Sequence, residues 1–297
     1  MFKKILIPLD GSETAEAILP FAQEIAKNTQ GQIVLVTAVQ QTGVWDATLS
    51  LQVLDKEEQA AADYVKTKAA ALGPNVTSRV TRGEAAEAIL TVAEDEKADL
   101  IGISTHGRSG LSRWLFGSTA TKILESSPVP VLFLHPKKGE DKGAPGPVVK
   151  KILVPMDGSP EALSVLPVVE GFAKAVGASL VLFHAVPPIT SYPGYETAGL
   201  AGVGDILKDL QEQAKQILTR TAADVKSRGV EATAAIVIET SVDGILRAAD
   251  ELNVDLIAIG THGRGGLGRM VLGSTADGVV RRSADVPCLV VRSTAGH

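Results

Sequence analysis

The sequence predicts an α/β protein of two tandem, doubly wound domains, each a Rossmann-like fold with a five-stranded parallel sheet. Three observations support this prediction. Short apolar runs alternate with longer amphipathic patterns along the chain. The apolar runs are nearly continuous, which is typical of parallel strands buried on both faces. The whole succession occurs twice in 297 residues. Because crossovers between parallel strands are right-handed, we expect helices on both faces of each sheet.

Two pairs of matching segments define the repeat. Residues 3–20 read KKILIPLDGSETAEAILP and residues 150–167 read KKILVPMDGSPEALSVLP, at an offset of 147. The segments THGRSGLSRWLFGSTA, from Thr105, and THGRGGLGRMVLGSTA, from Thr261, match at an offset of 156. The second copy therefore holds nine additional residues, which we place in the Gly- and Pro-rich stretch 187–204. A period of this length is that of a domain rather than of a solenoid repeat.

The composition between the two copies predicts a linker. Residues 137–149 are charged and rich in glycine and proline, which is typical of connecting segments. We therefore predict one domain over residues 1–136 and a second over residues 150–293.

Within each copy, β-branched and apolar runs predict strands, and the amphipathic stretches between them predict helices. Ser12 is the predicted N-cap of the first helix. Pro20 and Pro167 fall inside the first helix of each copy, where proline predicts a kink. The predicted elements of the first copy are strands at 4–9, 32–39, 76–81, 99–104 and 129–135, and helices at 13–27, 53–71, 84–96 and 118–126. The second copy repeats this order, with strands near 151–156, 179–186, 231–238, 255–260 and 286–292.

Composition narrows the classes of function. The net charge of −5 does not provide the basic surface of a nucleic-acid-binding protein. The single cysteine, Cys288, lies in the apolar run VPCLVV, where we expect it to pack as a small hydrophobic residue in a reducing compartment. The first apolar run is too short for a signal peptide, and no run approaches the roughly 20 apolar residues of a membrane span. We therefore expect a cytoplasmic protein without a membrane partner.

The loop after the fourth strand has the composition of a phosphate-binding site. A short helix is predicted directly after Gly117 in the first copy and after Gly273 in the second. The first N–H groups of a helix lack internal partners, and small residues let an anion reach them. The candidate phosphate-binding residues are Gly107, Arg108, Gly117, Ser118 and Thr119, with Gly263, Arg264, Gly273, Ser274 and Thr275 in the second copy. The alternative is structural: Ser118 and Ser274 only cap a helix, and the glycines only form a turn.

Asp10 and Asp157 follow the first strand of each copy. A carboxylate there can accept hydrogen bonds from a ribose, as in dinucleotide-binding folds, or it can cap the next helix, and both interpretations stay open. If the first and fourth strands are neighbours, both loops meet at one crevice.

Several catalytic motifs are absent from the sequence. There is no P-loop, no G-x-G-x-x-G opening the first helix and no G-x-S-x-G elbow. His106 and His262 have no partners at metal-ligand spacing, so we predict no metal held by protein side chains. No general base can be proposed, and we assign no catalytic residue.

At these residues the chain resembles the universal stress protein family in its tandem form. ATP-binding members carry a Gly-x2-Gly-x9-Gly-(Ser/Thr) pattern, which the second copy matches with Gly260, Gly263, Gly273 and Ser274. The first copy has Ser104 at the first position of this pattern. The resemblance implies ribose contacts for the two aspartates, adenine contacts for the backbone of Ala38 and Ala185, and phosphate contacts for the glycines and hydroxyls. Mg²⁺ or Mn²⁺ would accompany the nucleotide.

The resemblance also implies an architecture. Each sheet would have the strand order 3-2-1-4-5, and the fifth strands, 129–135 and 286–292, would pair with each other and cover an exposed edge. Association of two chains into a homodimer is a further implication.

Three functions follow from these patterns. The leading one is a cytoplasmic, ATP-binding regulatory protein of the stress response with little or no catalytic turnover. The second is an interaction module that binds no nucleotide, in which one or both domains serve for dimerisation. The third is a slow ATPase or an autophosphorylating protein.

Overall fold

The structure is a computed structural model that describes residues 1–40, 47–104, 117–136, 148–188, 190, 200–261, 272–283 and 286–293. The chain divides into two compact units, Met1–Val148 and Val149–His297. Most of the predicted linker, residues 137–147, lies outside the described residues.

The first unit is an open parallel sheet with helices between its strands. In the described residues its strands lie in the order β3-β2-β1-β4-β5, and every neighbouring pair is parallel. The elements are β1 (Lys4–Pro8), α1 (Glu13–Glu16), α2 (Leu19–Thr29), β2 (Gln32–Val39), α3 (Ala47–Leu72), β3 (Val76–Arg82), α4 (Ala85–Asp95), β4 (Leu100–Ser104), α5 (Ser118–Ser126) and β5 (Val131–Leu134).

The second unit repeats this arrangement. Its described strands lie in the order β8-β7-β6-β9-β10, again with parallel neighbours. The elements are β6 (Lys151–Pro155), α6 (Pro160–Ser164), α7 (Leu166–Val176), β7 (Ser179–Val186), α8 (Leu200–Ser227), β8 (Ala232–Ile238), α9 (Ser241–Glu251), β9 (Leu256–Gly260), α10 (Ser274–Arg282) and β10 (Cys288–Val291). The predicted α/β fold with two tandem parallel-sheet domains is confirmed.

The central strands are buried on both faces. Ile5, Leu6 and Ile7 are consecutive residues of β1, and each is almost completely inaccessible to solvent. Successive side chains of a strand point to opposite faces, so helices must cover both sides of the sheet. The nearly continuous apolar runs in the sequence have this origin.

The prediction of a single kinked helix at 13–27 is wrong. Helix α1 ends at Glu16, and α2 begins at Leu19 with Pro20 in its first turn. The second unit has the same break, because Pro167 lies in the first turn of α7. Proline has no N–H to bond the preceding turn, and this absence costs nothing in a first turn, where N–H groups have no helical partner. The chain therefore starts a new helix at each proline.

Cys288 packs in the core of the second unit, as the sequence predicts. It is 1% exposed, and its Sγ lies 2.9 Å from Ser283 Oγ. Burial raises the pKa of this thiol to about 12. The thiol is therefore protonated at neutral pH and shielded from reagents.

We predict that Cys288 in the native protein does not react with a thiol reagent at pH 8. Reaction requires an exposed thiolate, so labelling is expected to begin only when denaturant unfolds the second unit. Labelling measured against denaturant concentration tests this. Rapid stoichiometric labelling without denaturant would contradict it.

At Gly102 the core packing of the first unit differs from that of the second, and neighbouring residues compensate for the difference. A Cβ atom placed on Gly102 would lie 2.7 Å from Ile7 Cδ1 and 3.3 Å from Ile18 Cγ1. In the second unit the equivalent residue is Ala258, and Val154 and Val165 replace the two isoleucines. The shorter valines leave room for the alanine methyl group, so core volume is conserved between the copies.

We predict that Gly102→Ala lowers the free energy of unfolding of the first unit by about 1–3 kcal/mol, because the methyl group overpacks the core. Adding Ile7→Val should recover much of this loss. Hydrogen exchange of the amide groups of β1 and β4, measured against denaturant concentration, reports on the first unit. The control is Cys288 labelling in the second unit, which should keep its midpoint. Equal stability of wild type and Gly102→Ala would contradict the packing argument.

Candidate functional site

In each unit, the loops after the first and fourth strands leave the same edge of the sheet. Strand β1 pairs with β4 through Ile5–Leu100 and Leu6–Ile101, and β6 pairs with β9 through Ile152–Leu256 and Leu153–Ile257. The premise that these strands are neighbours is therefore confirmed. Parallel neighbours end side by side, so the two loops of one unit begin close together.

The aspartates after β1 and β6 form tight local turns. Asp10 Oδ1 accepts the N–H of Ser12 at 2.9 Å, and Asp157 Oδ1 accepts the N–H of Ser159 at 3.0 Å and its hydroxyl at 2.5 Å. The intervening Gly11 has a φ of +84°, a backbone conformation that glycine tolerates. These bonds fix the direction of each carboxylate.

The aspartates are not the helix caps. Ser12 is the N-cap of α1 and Ser159 is the N-cap of α6, and each hydroxyl accepts a backbone N–H at 3.1 Å. The predicted cap at Ser12 is confirmed. The alternative in which Asp10 and Asp157 serve as capping residues is wrong, because the serine two residues later does so.

A side chain of the second strand supports each aspartate loop. Thr37 Oγ1 donates to the carbonyl of Leu9 at 2.8 Å, and His184 Nδ1 lies 2.5 Å from the carbonyl of Met156. A carbonyl only accepts, so His184 carries its proton on Nδ1. Thr37 and His184 are equivalent positions at the offset of 147, and two different side chains therefore perform the same task. The sequence interpretation missed both residues.

Ala38 and Ala185 follow these two side chains. They lie near the carboxyl ends of β2 and β7, half-buried and paired with Thr81 of β3 and Val237 of β8. This places them next to the strands that carry the aspartates.

A tyrosine that the sequence did not single out also lies near the first aspartate loop. The Tyr64 hydroxyl donates to Glu16 Oε1 at 2.8 Å, and Lys68 Nζ lies 2.7 Å from Glu16 Oε2. Burial raises the pKa of Tyr64, as do the carboxylates of Glu16 and Asp10. The second unit has Arg220 and Asp224 at the positions of Tyr64 and Lys68, so this cluster distinguishes the two units.

The helices after the fourth strands begin with glycine N-caps. Gly117 caps α5 with a φ of −58°, and Gly273 caps α10 with a φ of −59°. Neither helix has a side-chain cap hydrogen bond, so the alternative in which Ser118 and Ser274 are N-caps is wrong. Both serines are instead the first residue of the helix. Within the described residues, the first amide groups of each helix have no side-chain acceptor.

The glycines of this region are small rather than conformationally special. Gly117, Gly260 and Gly273 do not have positive φ, and neither does Ser104, which ends β4 where Gly260 ends β9. A residue with a side chain could therefore adopt the same backbone. In the second unit the N–H of Gly273 donates to the carbonyl of Thr261 at 2.7 Å, which closes the base of the loop between β9 and α10.

Thr119 and Thr275 lie in the first turns of α5 and α10, beside the serines. The first turn of α5 contains no acidic residue, whereas α10 has Asp277, which forms an ion pair with Arg281 at 2.7 Å. Four predicted phosphate-binding residues lie outside the described residues: Gly107, Arg108, Gly263 and Arg264.

Other features of the described residues lie elsewhere. A cavity of about 600 Å³ in the second unit is lined by residues that include Glu170 of α7 and Arg228, directly after α8, joined by hydrogen bonds of 2.7 and 2.8 Å. None of the predicted site residues lines it. The described residues contain no group of three or more histidine, cysteine, aspartate or glutamate side chains placed to hold a metal ion. Among the described helices, none combines the length and apolar character needed to cross a membrane.

Comparison with known proteins gives a consistent result. The family model described as the universal stress protein family matches residues 1–135 and 149–292. A universal stress protein of Methanocaldococcus jannaschii is 32% identical over 148 residues, which cover 47% of this chain and 86% of that protein. A universal stress protein of Mycobacterium tuberculosis is 25% identical and covers 85% of this chain and 80% of that protein. The crystal structure of a universal stress protein from Archaeoglobus fulgidus has a TM-score of 0.70 at 23% identity, covering 98% of this chain and 99% of that chain.

We predict that His184→Val lowers the free energy of unfolding of the second unit by roughly 1–3 kcal/mol, because the carbonyl of Met156 loses its donor. His184→Thr should stay close to wild type, since Thr37 makes the equivalent bond from the equivalent position. The midpoint of Cys288 labelling in denaturant measures both. Equal midpoints for the valine and threonine variants would contradict this role.

Proposed function

The chain belongs to the universal stress protein family in its tandem two-domain form, and we propose that each domain binds ATP at the carboxyl edge of its sheet. The main support for the proposal comes from the first residues of α5 and α10. Each helix begins with a glycine N-cap and two hydroxyl residues, and has no side-chain cap. An anion is the partner that such a helix start favours.

The order of the strands supports an extended nucleotide. In the second unit, β7 carries Ala185, its neighbour β6 leads to Asp157, and β9, next to β6, leads to Gly273. Base, ribose and phosphates would therefore lie across three adjacent strands, about 10 Å apart from first to last. Ala38, Asp10 and Gly117 repeat this order in the first unit.

The groups in each position match the part of the nucleotide assigned to them. Asp157 is held by Ser159 in a fixed direction and can accept hydrogen bonds from ribose hydroxyls. Ser274 and Thr275 add hydroxyl donors to the uncapped amide groups of α10. Gly273 and Gly260 have no side chain, which leaves space for phosphate oxygens. Gly107, Arg108, Gly263 and Arg264 remain part of the proposed phosphate site.

Mg²⁺ or Mn²⁺ belongs to the proposal as a companion of the triphosphate. The donors in the described residues are hydroxyls and amides, which suit phosphate oxygens better than a bare divalent cation. Phosphate oxygens and water would therefore supply most of the metal ligands.

A regulatory role follows from the same set of groups. The described site residues include no evident general base for transfer or hydrolysis, so binding rather than turnover is the proposed activity. Bound ATP would stabilise one conformation and so control association with a partner. A cytoplasmic location belongs to the proposal and is supported by the single buried, protonated thiol.

Pairing of the fifth strands, and association into a homodimer, stay predictions. Within its own unit, each of β5 and β10 has a single neighbouring strand. A strand at the edge of a sheet favours pairing with another strand.

We predict that ATP raises the melting temperature of the protein by several degrees and that adenosine does not. ATP at 100 times its dissociation constant adds about 2.7 kcal/mol of stability, and the phosphates supply the contacts to the helix start. Thermal melts with millimolar ATP or adenosine measure this difference. Identical melts with and without ATP would refute the proposed function.

We predict that Gly273→Val and Gly117→Val each remove one bound ATP per chain while the fold is retained. Both positions have a φ that valine can adopt, and a Cβ atom on Gly117 would meet no atom within 4 Å, so only the approach of phosphate is blocked. Native mass spectrometry should give two nucleotides for wild type and one for either variant, each unit being the control for the other. If Gly117→Val leaves the stoichiometry unchanged, the first unit does not bind ATP.

A further inference from the structure

The third strand of each unit lies at the edge of its sheet. Strand β3 pairs only with β2 in its own unit, from Ile33–Val76 to Val39–Arg82. Strand β8 pairs with β7 in the same register, from Leu180–Ala232 to Val186–Ile238. Positions of β3 and β8 therefore correspond at the offset of 156, and the two edges can be compared residue by residue.

The β3 edge is covered by charge. Arg79 forms an ion pair with Glu96 at 3.6 Å. Arg82 forms ion pairs with Asp55, at 3.1 Å, and with Glu58. Charged side chains on an edge strand oppose pairing with another chain.

The β8 edge has lost this entire set of charges. The residues equivalent to Arg79 and Arg82 are Ala235 and Ile238, and Ile238 is 41% exposed. The three acidic partners are also replaced by neutral residues, which are Gln211, Ala214 and Leu252. Strand β8, with the sequence ATAAIVI, is therefore an uncharged edge.

The backbone of this edge is available for pairing. The backbone carbonyl of Glu231 accepts the N–H of Leu180 at 2.8 Å, and the N–H of Glu239 donates to the backbone carbonyl of Val186 at 2.9 Å. Alternation along the strand then directs the odd-numbered residues to β7 and the even-numbered ones away from it. The outward residues are 232, 234, 236 and 238. Ala232 is 2% exposed, so the accessible outward N–H and C=O groups are those of Ala234, Ile236 and Ile238, and these have no partner within the described residues.

We infer that β8 pairs with β8 of a second copy of this chain, antiparallel about a two-fold axis. Such an axis places residues of one strand opposite residues of the same strand, so charges on the strand would face charges of equal sign. Strand β8 has none, whereas β3 would bring arginines together. Pairing centred on Ala235 sets Ala234 opposite Ile236, so the accessible outward groups of these two residues form the central hydrogen bonds.

The ends of the strand are compatible with this pairing. It would bring Glu231 of one chain opposite Glu239 of the other. Glu231 lies 3.5 Å from Lys226, and Glu239 lies 2.7 Å from Arg247, so each carboxylate has its own cation. Since the contact is isologous, it closes after two chains and does not propagate through β8.

Restoring the arginines of the first unit tests the inference. Sedimentation of the full chain without nucleotide should give a dimer for wild type and a monomer for the double variant Ala235→Arg, Ile238→Arg. The matched control is Leu163→Arg with Ile217→Arg, at residues 40% and 43% exposed on helices α6 and α8, which should keep the dimer. A monomeric wild type, a dimeric Ala235→Arg, Ile238→Arg variant, or open-ended aggregates of wild type would overturn the inference.

Two further measurements address the backbone. Ala234→Pro removes an outward N–H that β7 does not use, so the fold should be retained and the dimer lost. In wild type, the amide protons of Ala234 and Ile236 should exchange slowly at high protein concentration and rapidly after dilution. Exchange that does not depend on concentration would contradict the pairing, even if the substituted chains fail to fold. The inference does not depend on ATP, so failure of the nucleotide test would leave it standing.

Discussion

The organisation of this protein depends on the burial of its central strands on both faces. Strands such as β1, with Ile5, Leu6 and Ile7 all inaccessible, have no room for polar groups along their length. Polar chemistry is therefore confined to the residues directly after each strand. Because β1 and β4 are hydrogen-bonded neighbours, as are β6 and β9, the aspartate loop and the glycine-capped helix of each unit must emerge side by side.

The two units act as a comparison within one chain, because the same backbone supports different side chains. Thr37 and His184 support the same loop through a hydroxyl and an imidazole. Gly102 with Ile7 is replaced by Ala258 with Val154, which keeps the volume of the core. Changes of this kind keep the packing and the support of the loops, whereas the replacement of Arg79 and Arg82 by Ala235 and Ile238 removes the charges that oppose pairing at the third-strand edge.

Much of the fold could be predicted from the sequence because it follows from local patterns. The strand and helix order repeats twice, and the predicted helix 118–126 agrees with α5. The sequence does not decide between a kinked helix and two separate helices at Pro20, since a proline can either kink a helix or start a new one. The roles of Tyr64, Thr37 and His184 could not be found, because each depends on a partner at least 28 residues away that only the folded chain brings near.

Ser104 shows why a departure from a sequence pattern is not by itself evidence for a lost site. Gly260, its counterpart, does not have positive φ, so a serine fits the backbone without strain. Ser104 Oγ is buried and has no hydrogen-bond partner in the described residues. An unsatisfied buried hydroxyl costs about 1–3 kcal/mol, and a ligand oxygen at the end of β4 would offset that cost. No group of the described residues bonds this hydroxyl, so the serine supports the proposal of a ligand in the first unit.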